Sequence, residues 1–381
     1  MNTFLRVALI SVAAVLPARA DTPLLDLLAH IPADAADMVY LSDHAVMRAQ
    51  IEPFVQTTPP GDPNRTLQTF STLFGPGGID TGGLMTFADG TETALGFDLF
   101  NIDQLAGWGT PPDAPLIITG VADRAADIAA AHLARGFETS AYNGHTVWHR
   151  QNDHEINLKR RNEDPFSGTI GVSLRLAVKD DTLIVTRAWP AMHRLLDGGP
   201  GLDTNTDAAA ILRAGYQIDG FGRLTNAILI PDQPMRGPDP AASLLSTSPT
   251  AGRKTPEAAE LPGLPPFLRY GLLLWQDGAT LTGAIAIPYV RADTAETALN
   301  GFADVLARAD SPYVRKPFDQ LLPPDRSFQV VDTGDRKVLV LAFRQTAEVK
   351  DPIALMTFLN NPNRRLLSMV QTRDIGILIG R

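Results

Sequence analysis

Residues Gly271–Ile285 read GLLLWQDGATLTGAI: an apolar run to Trp275, then Asp277-Gly278 two residues after that aromatic, then a second β-forming run. Asp-Gly between such runs favours a tight hairpin, because the turn needs positive φ at its central positions and glycine takes that conformation without steric cost. An earlier stretch, Gly83–Phe97 (GLMTFADGTETALGF), carries the same plan with Phe87 and Asp89-Gly90. The fold therefore reads as a duplicated unit, each copy starting from a β-hairpin.

The segments after the two copies also match. After the first come an apolar strand over Pro115–Val121 and a helix in which Ala125, Ile128, Ala129, His132 and Leu133 recur at helical spacing, closed by Gly136. After the second, a strand running to Val290 meets a helix with Asp293 and Glu296 at capping-box spacing and an apolar stripe of Ala295, Ala298, Leu299, Phe302 and Leu306. Further antiparallel pairs come next, at 138–150 and 174–187 in the first half and at 328–343 in the second. Short helices end each set, at 189–198 and 351–361. Hairpins separated by helices predict an α+β fold, two related modules of antiparallel sheet each covered by helices on one face.

The first twenty residues, with Arg6, an apolar run from Val7 to Leu16 and Ala18-Arg19-Ala20, have the form of a secretory signal cleaved after Ala20. The domain plan is then a signal peptide at 1–20, an N-terminal module at 21–230, a Pro-rich linker or long surface loop at 231–266, and a C-terminal module at 267–381. No later run is long and uncharged enough for a transmembrane segment. The chain contains no cysteine, which excludes disulfides, thiol nucleophiles and thiolate metal sites, and its 44% hydrophobic content must support folding by burial alone. Losing Arg6 and Arg19 takes 33 basic residues to 31 against 42 acidic ones, a net charge of 31 − 42 = −11. That charge disfavours nucleic acid and anionic lipid, and no basic cluster stands out to offset it.

Tyr142–Glu155 (YNGHTVWHRQNDHE) holds three of the seven histidines. Asn143-Gly144 predicts a hairpin that sets Tyr142 opposite His145, Ser140 opposite Val147 and Glu138 opposite His149, on the wetter side, with Trp148 on the more apolar side. Four residues of strand span roughly 13 Å, so His145 and His149 cannot share an ion whose ligands sit about 2 Å from it. A compact metal pair here would set His149 with His154, Asp153 or Glu155, and His149, His154 and Glu155 are the candidate metal ligands. The plainer reading is a surface pair of Glu138 and His149. No cofactor motif is present.

Other chemistry is absent as motif. There is no G-x-S-x-G, no S-x-x-K and no Walker P-loop. Asp203, Asn205 and Asp207 have calcium-loop spacing, but Ala208 and Ala214 stand where that loop needs glycine and glutamate, so the triplet reads as the N-cap of a helix over 207–214.

Three elements carry a resemblance: Ile31-Pro32-Ala33-Asp34 ahead of a strand with Tyr40; the helix and Tyr142-Asn143-Gly144 hairpin; and the strand pair with a short helix ending Leu196-Asp197. Together they resemble an uncharacterised family of exported bacterial proteins with a Pro-Ala-Asp start and repeated α+β modules. The resemblance covers Asp26 to about Asp207 and reaches the second half through the duplication. It implies export and a repeated architecture, and supplies no catalytic residues.

The functional expectation is a soluble periplasmic protein without catalytic activity that binds an envelope protein or a small-molecule ligand in the groove between its modules. The alternatives are a metal-binding protein or metalloenzyme built on His149 and His154, and a structural subunit of an envelope assembly docked through the linker.

Overall fold

The computed structural model describes residues 22–35, 37–55, 91–109, 113–161, 163–167, 170–231, 264–278, 280–308 and 316–346. The expected leader, the 83–90 strand, nearly all of the linker and the 351–361 helix lie outside these residues. Twelve strands are described: β1 Val39–Asp43, β2 Gln104–Trp108, β3 Leu116–Thr119, β4 Glu138–Tyr142, β5 His145–Arg150, β6 Leu174–Lys179, β7 Thr182–Thr186, β8 Arg223–Pro231, β9 Arg269–Asp277, β10 Thr280–Tyr289, β11 Asp325–Asp332 and β12 Lys337–Thr346. They form one antiparallel sheet in the order β11-β12-β10-β9-β8-β1-β2-β3-β7-β6-β5-β4. The described α-helices are α1 Pro23–Leu27, α2 His44–Val55, α3 Thr91–Leu95, α4 Ala125–Ala134, α5 Trp189–Asp197, α6 Thr206–Gln217, α7 Ala292–Arg308 and α8 Phe318–Leu321.

The repeat is visible in the topology. The meander β1-β2-β3 is followed by α4 and by strands that return so that β7 pairs with β3; the meander β8-β9-β10 is followed by α7 and a return that pairs β12 with β10. Among the described residues the first half carries one extra hairpin. The halves join where the first strands of the two meanders pair antiparallel, Val39 with Leu229 through Ser42 with Asn226. Strand β8 thus holds in the second half the place that β1 holds in the first, although it precedes the proline-rich stretch and the sequence boundary put it with the N-terminal module.

Gly271–Ile285 is the hairpin β9–β10, with Gly278 in its turn at φ +52. Its expected counterpart is not a hairpin, because Thr91–Leu95 coils as α3. Glu, Ala and Leu are good helix formers, and Gly96 ends the turn at φ +80 with its N–H donating to Glu92 O at 2.8 Å. The matching hairpin of the first half is β2–β3.

The α+β class with antiparallel hairpins holds, and each half's crossover helix covers the same face of the sheet. There, Leu105, Ile118 and Leu176 pack with Met47, Leu95 and Ile128 of the α2–α4 layer, while Ile228, Leu272 and Ile285 pack with Ala295, Phe302 and Phe318 of α7 and α8. The other face, with Leu41, Ala106, Ala227, Leu273 and Ala284, is roofed by α1, α5 and α6. Since both faces are covered, the central strands lose alternation: β9 is buried from Arg269 to Gln276. No helix among the described residues is long and apolar enough to cross a membrane.

Small residues let α6 approach that second face closely. Ala208, Ala209, Ala210, Ala214 and Gly215 are buried, Trp275 Nε1 donates to Gly215 O at 2.8 Å, and a Cβ on Gly271 would lie 2.5 Å from Ile211 Cγ2. The Asp203–Asp207 triplet does serve as a cap, with Asn205 accepting from Ala208 N at 3.0 Å and the helix starting at Thr206. In α7 the expected capping box is replaced: the helix already includes Ala292, and the Asp293 carboxylate turns to Arg291.

This packing makes two substitutions informative. Gly271→Ala forces apart a strand and a β-branched helix residue and is expected to cost about 1–3 kcal/mol in urea unfolding, with the Ile211→Ala background recovering part of the loss. His132 is buried in α4 with Nδ1 on Ile128 O at 2.7 Å; burial, helped by the Arg135 charge, lowers its pKa from 6.5 to about 4. The unfolded chain therefore takes up this proton first as pH falls, so the stability is complete above pH 6.5 and is lost between 6.5 and about 4. By pH 5 the loss is about 2 kcal/mol. His44, lowered to about 3 mainly by burial, adds to it, so His132→Phe is expected to shrink, and not abolish, the fall in Tm on acidification.

Candidate functional site

The β4–β5 hairpin has the predicted turn and register: Asn143 and Gly144 take φ +47 and +80, and Glu138, Ser140 and Tyr142 face His149, Val147 and His145. Its polar face is not the wet one. Helix α5 lies over it, because Trp189, His193 and Asp197 fall on one helical row at i, i+4 and i+8. The Tyr142 ring stacks on His193 at 3.8 Å, its hydroxyl donates to Asp197 Oδ2 at 3.0 Å, and His149 stands edge-on to Trp189 at 5.0 Å.

The candidate metal ligands go to three different partners. His149 Nε2 lies 2.9 Å from Ser140 Oγ, His154 Nε2 lies 2.6 Å from Asp113 Oδ1, and Glu155 accepts from the backbone and side-chain nitrogens of Asn152 at 3.0 Å. His154 takes φ +59 in the loop that follows the strand carrying His149. Among the described residues no three His, Cys, Asp or Glu side chains converge to hold an ion. The expected metal site is thus replaced by contacts that fix the hairpin, its loop and α5.

Asp153 of the same stretch does the anchoring. Its carboxylate accepts from Trp189 N at 3.1 and 3.2 Å, satisfying an orphan donor at the start of α5, and pairs with Arg175 at 2.6 Å. Arg175, buried on β6 directly across from His149, also donates to Gln151 O and Arg187 O at 2.9 and 3.1 Å and lies over the Trp189 ring. Glu138, His149, Gln151, Asp153, Arg175 and Trp189 line a polar hollow of about 380 Å³. Partial burial, and then the Arg175 charge, lower the His149 pKa against the opposing pull of Glu138.

At its other end α5 borders a larger cleft, about 480 Å³. One wall is Ala29–Asp34, held by Ala33 N on Pro200 O at 2.9 Å and Leu202 N on Ile31 O at 2.7 Å. The floor includes Ile117, Ile184 and Leu195, and His30, Asp34, Lys179, Asp180 and Arg194 stand around it. Lys179 Nζ donates to Leu195 O and Leu196 O at 3.1 and 3.2 Å, covering carbonyls that the helix end leaves open. Arg194 forms an ion pair with Asp34.

Helix α5 therefore gathers Pro32-Ala33-Asp34, Tyr142-Asn143-Gly144 and its own Leu196-Asp197, which the sequence shows far apart. Arg175 and Lys179 were missed because each reads as an ordinary member of the strand LRLAVK. The hollows flank α5 inside the first half and do not lie between modules, since the junction is a hydrogen-bonded strand pair with α2 packed against β8 and β9.

No protein-family model matches the chain, and no curated protein matches it. Among solved structures the chain is similar to crystal forms I, III and IV of TP0453, at 10%, 9% and 9% identity with TM-scores of 0.35, 0.35 and 0.36, over 90–91% of this chain and 95–97% of that one. Likeness at this level carries no argument for function.

The two acidic anchors of α5 should differ in weight. Asp153→Ala removes a cap and leaves the buried Arg175 without its carboxylate, an expected loss of about 2–4 kcal/mol. Asp34→Ala breaks a solvent-exposed pair and should cost less than about 1 kcal/mol. Chemical denaturation of the two variants checks the order.

Proposed function

We propose that the protein is an exported, non-catalytic binding protein of the periplasm that receives a segment of an envelope protein, or a small ligand, in the cleft between Ala29–Asp34 and α5. The observation that carries this reading is the form of the cleft, an apolar floor under a rim of both charges, large enough for a few side chains or one small molecule. The rim cations are already committed, Lys179 to helix carbonyls and Arg194 to Asp34, which suits recognition more than proton transfer or nucleophilic attack. Export rests on the leader sequence, and the Pro-Ala-Asp wall of the cleft is the element that resembles the exported family. A metal function on His149, His154 and Glu155 finds no support in their geometry.

The test is a photo-crosslinking residue at Ala33, with Asp219 on the exposed turn after α6 as control, in the full chain expressed with its leader. A discrete adduct formed from Ala33 and absent from Asp219, in processed periplasmic protein, is the expected result. Processed protein that gives no adduct at Ala33, and whose melting temperature no periplasmic small-molecule fraction raises, would count against the reading.

A further inference from the structure

The connection from β5 to β6 divides its own apolar residues into two sets. Phe166 and Val172 are buried at 6% and 5% exposure, whereas Ile156, Leu158 and Ile170 remain 56%, 64% and 44% exposed. These three, with Leu133 near the end of α4, are four of the six large hydrophobic residues exposed among the described residues. Their exposure is built in. Ile156 bridges Val172, Asn157 N donates to Gly171 O at 3.0 Å, and the Asn157 side chain caps the 3-10 turn Leu158–Arg160. The Arg135–Asp164 ion pair, its carboxylate fully buried, ties the connection to the end of α4. These bonds fix the backbone from which the three exposed aliphatic side chains project.

Cations stand among them. Lys159 and Arg161 are exposed and their side chains make no hydrogen bond or ion pair among the described residues, while Arg160 has only a long contact of 3.5 Å to the exposed Glu163. In a chain of net charge −9 this Lys-Arg-Arg run is a short concentration of positive charge that the overall balance hides, flanked by Glu155, Glu163 and the Arg135-paired Asp164. At physiological ionic strength charges beyond about 8 Å are largely screened, so a contacting surface feels these cations more than the distant acidic excess.

We propose that Ile156–Arg161, with Ile170, docks the protein on an anionic phospholipid bilayer surface. The aliphatic tips enter the boundary between headgroups and acyl chains while Lys159 and Arg161 meet lipid phosphates, so that an apolar and an electrostatic contribution add in interfacial binding. A protein groove fits less well: the run has no aromatic or methionine side chain, and its two arginines, which also anchor protein interfaces, serve a phosphate surface equally. This inference is independent of the α5 cleft.

Co-sedimentation with vesicles tests it, using protein beginning at Asp21 so that the apolar leader contributes no lipid affinity. Binding should rise as phosphatidylglycerol replaces phosphatidylcholine and fall with added salt. Lys159→Ser and Arg161→Ser should each weaken it about fivefold, and Leu158→Ser should weaken it without changing the salt dependence, all with unchanged Tm. Absence of binding, equal binding to pure phosphatidylcholine, or wild-type binding by all three variants would overturn the proposal. Association with an acidic soluble protein in place of vesicles would assign the patch to a protein partner and overturn it equally.

Discussion

Everything else in the molecule depends on the pairing of β1 with β8. The two strands run antiparallel at the centre of the sheet, and in that ladder Asn226 donates from its side chain to Ser42 Oγ at 2.7 Å. Because the first strand of each meander is the one that pairs, the halves become one surface instead of two neighbouring sheets. A single layer of α1, α5 and α6 can then roof both, which is why alanines on β2, β8 and β10 contribute to the same core. The other face keeps two cores, one under each crossover helix.

Helix α5 organises the first half in the same sense. Asp153 satisfies its start, Lys179 its end, and one row of its side chains receives the hairpin tip. The charged groups that crowd this region are mostly fastened to one another or to backbone. The hollows at the two ends of the helix are what this fastening leaves open.

Much of this was legible in local sequence. Asn143-Gly144 and Asp277-Gly278 gave correct hairpins because a tight turn is decided by residues within it. The spacing of Ala295, Ala298, Phe302 and Leu306 gave a helix face that is buried as expected. Local patterns misled where they competed with a neighbour distant in sequence. Thr91–Leu95 comes after an Asp-Gly pair, but its residues coil, and a Cβ on Gly96 would lie 2.3 Å from the Asp127 backbone, so the turn belongs to the packing of α3 on α4. The apparent wet face of the histidine hairpin is covered by α5 because no pattern within 138–150 announces a helix 40 residues later. The candidate ligands failed for a related reason: proximity in sequence put His149, His154 and Glu155 together, and the loop turned each toward a different partner.

The central ladder also bears on the order in which the chain can assemble. Ser42 and Asn226 are 184 residues apart, so β1 has only β2 beside it until the whole first half has been made. During that interval its other edge presents unpaired amide and carbonyl groups, a template open to any extended segment. Long-range pairings of this kind close late and slowly, since the intervening chain must be ordered before the contact is gained. The residues that complete the sheet are thus also those that end its exposure to mispairing, and a chain truncated before Arg223 would keep that edge permanently open.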